Sequence, residues 1–155
     1  MSKPTFVCVP AASHPPLIFE RVKSSLAFYG YTFIPVALPS LGGRPPTFDF
    51  TEDVQTIRSL VAHLVESGKE VIVVMHAYGG IPGGEALQGL GKIDRERMGL
   101  RGGVNRLVFI MSCLAREGFQ ESARGDISAM PPWVQCNLEV CQLLGYQSPR
   151  ILALL

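Results

Sequence analysis

Residues 71–80 read VIVVMHAYGG, and the fold prediction starts from them. The first five are apolar without a break, which indicates a strand buried inside a parallel sheet. Two glycines and a helical pattern reaching residue 90 predict a sharp turn into a helix. Strand, tight turn and helix in this order are the setting of a nucleophile elbow, whose tip side chain stands above the sheet. The residue at the tip is Ala77, and a methyl group cannot attack a carbonyl carbon.

Strands and helices alternate on both sides of this segment. Short β-branched and apolar runs predict three more strands, at residues 5–10, 32–38 and 107–111. Pro35 lacks a backbone donor, so the second strand is expected at a sheet edge or a bulge. Amphipathic spacing predicts helices between the strands. The order predicts an α/β fold, a three-layer sandwich with a mainly parallel sheet and right-handed crossovers.

Several details of the connections are also predicted. Ile18, Val22, Leu26 and Tyr29 form the apolar stripe of the first helix. Thr51 is expected to cap the second helix, with acidic residues in its first turn. Residues 92–103 carry many charges and are interpreted as a solvated loop.

Composition narrows the range of functions. The chain has 155 residues, 47% of them hydrophobic and 17% charged, which suits one folded domain. A net charge of +1 gives no electrostatic reason to expect nucleic acid or a membrane surface as a partner. The aliphatic run at residues 71–75 is far shorter than the roughly 20 residues that cross a bilayer. No signal-like leader opens the sequence, so a cytoplasmic location is expected.

No cofactor or metal site is predicted. Cys136 and Cys141 are five positions apart without a nearby histidine, which does not match a zinc half-site. The glycines at residues 79–84 and 89–91 lack the Lys-Ser/Thr pair of a phosphate-binding loop. The first strand ends in Pro10, Ala11 and Ala12 rather than in a dinucleotide-binding glycine pattern.

The elbow and several other segments together resemble the α/β-hydrolase superfamily, in particular small fungal-type hydrolases with the elbow H-S-Y-G-G. The other matching segments are VPAASH at residues 9–14, ALPS at 37–40, DFTED at 49–53, GG at 102–103 and PPW at 131–133. This resemblance covers about residues 1–135. It implies an incomplete α/β-hydrolase sandwich with a cap region beginning near residue 114, followed by a divergent tail at residues 136–155. It also implies hydrolysis of small esters, thioesters, lactones or C–C bonds without a cofactor.

The sequence departs from that family at the catalytic residues. Ala77 replaces the family serine, and all three histidines, His14, His63 and His76, lie at or before the elbow. The family's acid and histidine belong to strands that this sequence does not reach. We therefore expect a catalytically inactive member that binds a small molecule or serves as an accessory protein in secondary metabolism. The alternatives are a hydrolase of small carbonyl compounds with a rearranged site, and a truncated gene product without independent function.

The resemblance also implies where an anion-stabilising frame lies. The backbone N–H of Tyr78 and one from the loop of Ala11 and Ala12 match the oxyanion-hole positions and could hold the oxygen of a small carbonyl ligand. Four further residues are candidates for a pocket: Ser13, His14, His76 and Cys113.

Each of these candidates has a plainer explanation. His14 lines the pocket or caps a helix. His76 is a substitute base or simply flanks the tip, and Cys113 is a substitute nucleophile or a packed thiol. His63 is given no role.

The last predicted strand has a consequence for partners. Residues 107–111 are apolar on both faces and contain neither proline nor charge, which suits the middle of a sheet. At an edge, such a strand exposes unpaired backbone groups on an apolar ribbon. We therefore expect self-association, or pairing with a longer paralogue, through this edge.

Overall fold

A computed structural model describes residues 3–42, 49–112 and 114 of the chain. Its strands form one parallel sheet in the order β2-β1-β3-β4. They are β1 (Thr5–Val9), β2 (Thr32–Pro35), β3 (Glu70–His76) and β4 (Gly103–Ile110). The predicted α/β class and parallel sheet are confirmed. Among the described strands, the one containing Pro35 lies at the edge of the sheet, as its missing donor predicted.

Helices connect the strands. They are α1 (Glu20–Phe28), α2 (Thr51–Glu66), α3 (Gly80–Ala86) and α4 (Lys92–Arg97). Two 3₁₀ turns lead into helices, Pro16–Phe19 before α1 and Ala77–Gly79 before α3. Within the described ranges, no helix is long and apolar enough to cross a membrane.

The core lies on one face of the sheet. Val7 is in register with Val73, and Val9 with Met75, so these four fully buried side chains share a face. They pack in one cluster with buried residues of α2, including Ile57. The opposite face carries Phe33, whose ring centroid lies 6.2 Å from that of Phe19 in the turn before α1. Helical segments therefore contact both faces of the sheet.

Three details differ from the sequence-based expectations: the burial of α1, the start of α2 and the burial of β3. Each depends on tertiary contacts. The stripe of α1 is not a core face, since Ile18, Val22 and Tyr29 remain exposed. Thr51 is the first residue of α2 rather than its cap, and its N–H donates to Asp49 Oδ1 at 2.7 Å. The apolar run of β3 is fully buried on only one face, because Ile72 and Val74 on the other face are half-buried.

The charged segment at residues 92–103 is not a solvated loop as expected. It contains α4, and Arg95 on that helix is buried. The Arg95 guanidinium donates to the carbonyl oxygens of Val65, Arg101 and Gly102 at 3.1–3.2 Å. It therefore binds carbonyl groups at the end of α2 and in the connection that leads to β4.

The apolar side chains of the last strand are partly exposed. β4 pairs with β3, but Leu107, Val108, Phe109 and Ile110 are 37–47% exposed. In the described part of the chain, β3 is the only strand beside β4. The expected cap region beyond residue 114 and the boundary between residues 135 and 136 lie outside the described residues.

Candidate functional site

The elbow has the backbone geometry that the sequence indicated. Ala77 follows β3 with a φ of +48°, a left-handed conformation that alanine rarely adopts. Small residues let the helix approach the sheet. A Cβ on Gly79 would lie 2.7 Å from the Val9 carbonyl oxygen, and one on Gly83 would lie 2.7 Å from Met75 Sδ. The turn is therefore determined by backbone and packing, and it forms without a serine at its tip.

Three residues with strained backbone follow the carboxyl ends of strands in the sheet. In the described ranges, the non-glycine residues with positive φ are Ser13 (+60°), Ala77 (+48°) and Met111 (+44°). They lie just beyond β1, β3 and β4 respectively, where the carboxyl ends of parallel strands meet. Strain of this kind often accompanies functional sites, because surrounding contacts must maintain it. The carboxyl edge of the sheet is therefore the candidate site.

The loop after β1 lies against the elbow. Ala11 is buried, Ala12 is half-buried, and Ser13 and His14 are exposed. The His14 ring centroid lies 6.2 Å from that of His76, which is half-buried at the end of β3. His14 Nδ1 donates to the Ala12 carbonyl oxygen at 2.8 Å, so His14 bonds within its own loop rather than to a helix amide.

A buried carboxylate lies beneath the elbow. Asp53, in the first turn of α2, is 0% exposed and accepts a hydrogen bond from the Tyr78 hydroxyl at 2.7 Å. Ser40 donates to the same carboxylate twice, from its N–H at 2.9 Å and from its hydroxyl at 2.7 Å. Three donors hold the carboxylate, which is how a buried acidic side chain is accommodated. Tyr78 is itself 2% exposed, so its phenol is fixed in the interior.

A second polar contact reaches the tip of the elbow from β4. The half-buried Ser112 donates its hydroxyl to the Ala77 carbonyl oxygen at 2.6 Å. Sequence reasoning missed both Ser112 and Asp53. The sequence held one signal that Asp53 is buried. Asp53 lies four residues before Ile57, a spacing that places both side chains on the same, buried face of α2.

Among the described residues, Cys8 is a buried free cysteine. Burial raises the pKa of the Cys8 thiol to about 12, so this thiol stays protonated at neutral pH. His63 is exposed on α2, and Cys113 lies outside the described residues. Among the residues whose positions are described, no group of three or more His, Cys, Asp or Glu side chains could hold a metal ion.

Comparison with known proteins gives a consistent result. The profile of the alpha/beta hydrolase family matches residues 6–149. An alpha/beta hydrolase of Aspergillus novofumigatus is 35% identical over 132 residues, which are 85% of this chain and 51% of the relative. A probable hydrolase of a Phoma species is 31% identical over 120 residues, 76% of this chain and 46% of the relative. The chain spans about half the length of these curated relatives. The elbow, the parallel sheet and these matches together show that the chain belongs to the alpha/beta hydrolase family.

Proposed function

We propose that this chain is a catalytically inactive member of the family that binds a small carbonyl or carboxylate compound at the carboxyl edge of its sheet. The observation that carries the proposal is Ala77, which keeps the left-handed elbow conformation but presents a methyl group. Acyl transfer by this fold requires a nucleophile at that position. Losing a triad member costs several powers of ten in rate.

The binding part of the proposal rests on backbone groups. A backbone N–H does not depend on the side chain that follows it, so the loss of the serine leaves the Tyr78 donor in place. The approach of Gly79 to the Val9 and Pro10 carbonyl oxygens sets the elbow directly against the loop that begins at Ala11. Donors from these two segments suit a carbonyl or carboxylate oxygen.

Catalytic inactivity predicts no turnover of simple esters. The purified chain is expected to hydrolyse p-nitrophenyl acetate and p-nitrophenyl butyrate no faster than an unrelated protein with a similar number of surface nucleophiles. Ala77→Ser alone is expected not to restore activity, because all three histidines lie at or before the elbow. Turnover with burst kinetics in the unaltered chain would contradict the proposal, and His76→Ala and Cys113→Ala would then locate the reacting group.

Binding is tested separately with butyrate as the probe. Hydrogen exchange followed by mass spectrometry works at low protein concentration and reports single amides after gas-phase fragmentation. Butyrate is expected to slow exchange at Tyr78 and Ala12 but not in α1, which packs against the edge strand β2 and has no buried residue. Protection confined to other parts of the chain would contradict a site at the elbow.

One observation favours a second candidate function, a weak hydrolase with a rearranged site. Because His14 Nδ1 donates to Ala12, the neutral ring carries its lone pair on Nε2, the form that a general base needs. If the unaltered chain showed ester turnover and His14→Ala abolished it, His14 would be the base and this second function would be favoured.

A further inference from the structure

We propose that Ser112 and Asp53 are positioning residues that hold the peptide group between Ala77 and Tyr78 from two sides and thereby aim the Tyr78 N–H into the site. The inference rests on the proposed function, because it names residues that shape the same binding frame. Neither residue belongs to the elbow in sequence, and the two come from different elements.

The Ser112 contact acts on the donor through the peptide plane. The carbonyl of Ala77 and the N–H of Tyr78 belong to one planar trans peptide and point in opposite directions. That carbonyl accepts the Ser112 hydroxyl at 2.6 Å and also the Gly80 N–H of the 3₁₀ turn, and the Ser112 bond thereby helps to fix the direction of the N–H. A hydrogen bond to the carbonyl also polarises the peptide group, which strengthens its N–H as a donor.

The Asp53 contact restrains the side chain of Tyr78, the residue whose backbone N–H lies in the peptide group that Ser112 contacts. The Tyr78 side chain can leave its buried position only if its hydroxyl breaks the 2.7 Å bond to Asp53 Oδ2 inside the core. Asp53 is held in turn by two bonds from Ser40, in the loop after β2. The direction of Tyr78 is thus tied to α2 and to the β2 loop as well as to β4.

The backbone conformation explains why such anchors are needed. A left-handed alanine is unfavourable by about 1–2 kcal/mol, so the elbow conformation must be maintained by its surroundings. Ser112 itself follows Met111, whose φ of +44° is also left-handed. The residues next to two strained positions are therefore joined by one hydrogen bond, which is made to the same peptide group that carries the Tyr78 N–H.

The test compares four versions of the full chain: the unaltered protein, Ser112→Ala, Ser112→Thr and Ser25→Ala. Ser25 is the matched control, because its hydroxyl also donates to a backbone carbonyl, that of Arg21, but on exposed α1. Exchange at the Tyr78 amide is measured without ligand and with increasing butyrate. Exchange within β3 serves as an internal reference for the stability of the sheet.

Ser112→Ala is expected to speed exchange at Tyr78 while β3 amides stay unchanged, and to weaken butyrate binding about 5-fold, the value of one ordinary hydrogen bond. Ser112→Thr restores both because it keeps the hydroxyl, and Ser25→Ala changes neither. Tyr78→Phe, which removes the hydroxyl that donates to Asp53, is expected to weaken binding in the same direction.

Unchanged Tyr78 exchange in Ser112→Ala would overturn the inference, as would equal losses in Ser112→Ala and Ser112→Thr. The absence of butyrate protection in the unaltered chain would count against the proposed function instead. In that case, faster Tyr78 exchange in Ser112→Ala with recovery in Ser112→Thr would still establish Ser112 as a positioning residue, and faster exchange in the sequence flanking residue 78 of Tyr78→Phe would do the same for Asp53.

Discussion

At the scale of the residue, Ala77 adopts the elbow conformation although it replaces the serine that is usual at this position in the family. Its φ of +48° is unfavourable for an alanine. In an active enzyme the same strain at this position presents a catalytic nucleophile, which this chain lacks. Here the conformation is maintained by Gly79 packed on the β1 carbonyls and by the Ser112 hydroxyl. The elbow is therefore a property of the surrounding packing rather than of the side chain at its tip.

This strain predicts a stabilising substitution. Ala77→Gly is expected to raise the free energy of unfolding by about 1 kcal/mol, because glycine adopts positive φ without a Cβ clash. Urea denaturation followed by circular dichroism measures the change. Ala62→Gly in the middle of α2 is the matched control and is expected to lower stability by about 1 kcal/mol. A loss of stability in Ala77→Gly as large as in Ala62→Gly would mean that the elbow alanine is not strained.

At the scale of the element, polar and charged side chains connect the start of β3 with α4 and β4, and we call this contact region the junction. Lys92 donates to Glu70 Oε1 at 2.6 Å, and Asn105 donates to Glu70 Oε2 at 2.9 Å. The start of β3 thereby contacts both α4 and β4. Arg95 completes the junction from the buried side of α4.

The junction predicts a pH dependence. The hydrogen bond from Lys92, helped by Asn105, holds the pKa of Glu70 below its ordinary value. A carboxyl with a lowered pKa in the folded state stabilises the fold above its unfolded pKa and loses that contribution as the pH falls through the folded value. The stability difference between the unaltered chain and Glu70→Gln should therefore shrink between about pH 5 and pH 3. Parallel stability curves across that range would contradict the prediction.

At the scale of the whole molecule, the sheet formed by the described strands ends on the apolar strand β4. Leu107 and Ile110 are each nearly half exposed, and β3 is the only described strand beside them. Exposed apolar edges promote pairing with another chain. The expectation of self-association through β4 stays a prediction, and a second copy of this chain is the partner it names.

Light scattering coupled to size exclusion measures this association. The chain is expected to form dimers or larger species at tens of micromolar, and Val108→Lys in β4 is expected to reduce them, because an edge lysine opposes pairing. Val22→Lys on exposed α1 is the matched control and should leave the association unchanged. A monodisperse monomer that melts cooperatively would contradict the prediction.

Much of the architecture was predictable because it depends on local patterns. The apolar run of β3, the helical spacing after residue 51 and Pro35 at an edge all act through neighbours in sequence. The tight turn at the elbow was predictable for the same reason, since glycines on its helix side permit the close approach. Burial was less predictable: Arg95 looked like a solvated charge, and it is buried because carbonyl groups from two other segments surround it.

The sequence alone therefore determined the parallel α/β sheet, its elbow and the missing nucleophile, since these follow from hydrophobic periodicity and from one side chain's chemistry. Only the tertiary structure decided how the elbow is held. Asp53 and Tyr78 are 25 positions apart, and Ala77 and Ser112 are 35 apart. No periodic pattern links such residues. They meet because parallel strands bring their carboxyl ends to one edge and because α2 packs beneath it, and both conditions are met only in the folded chain.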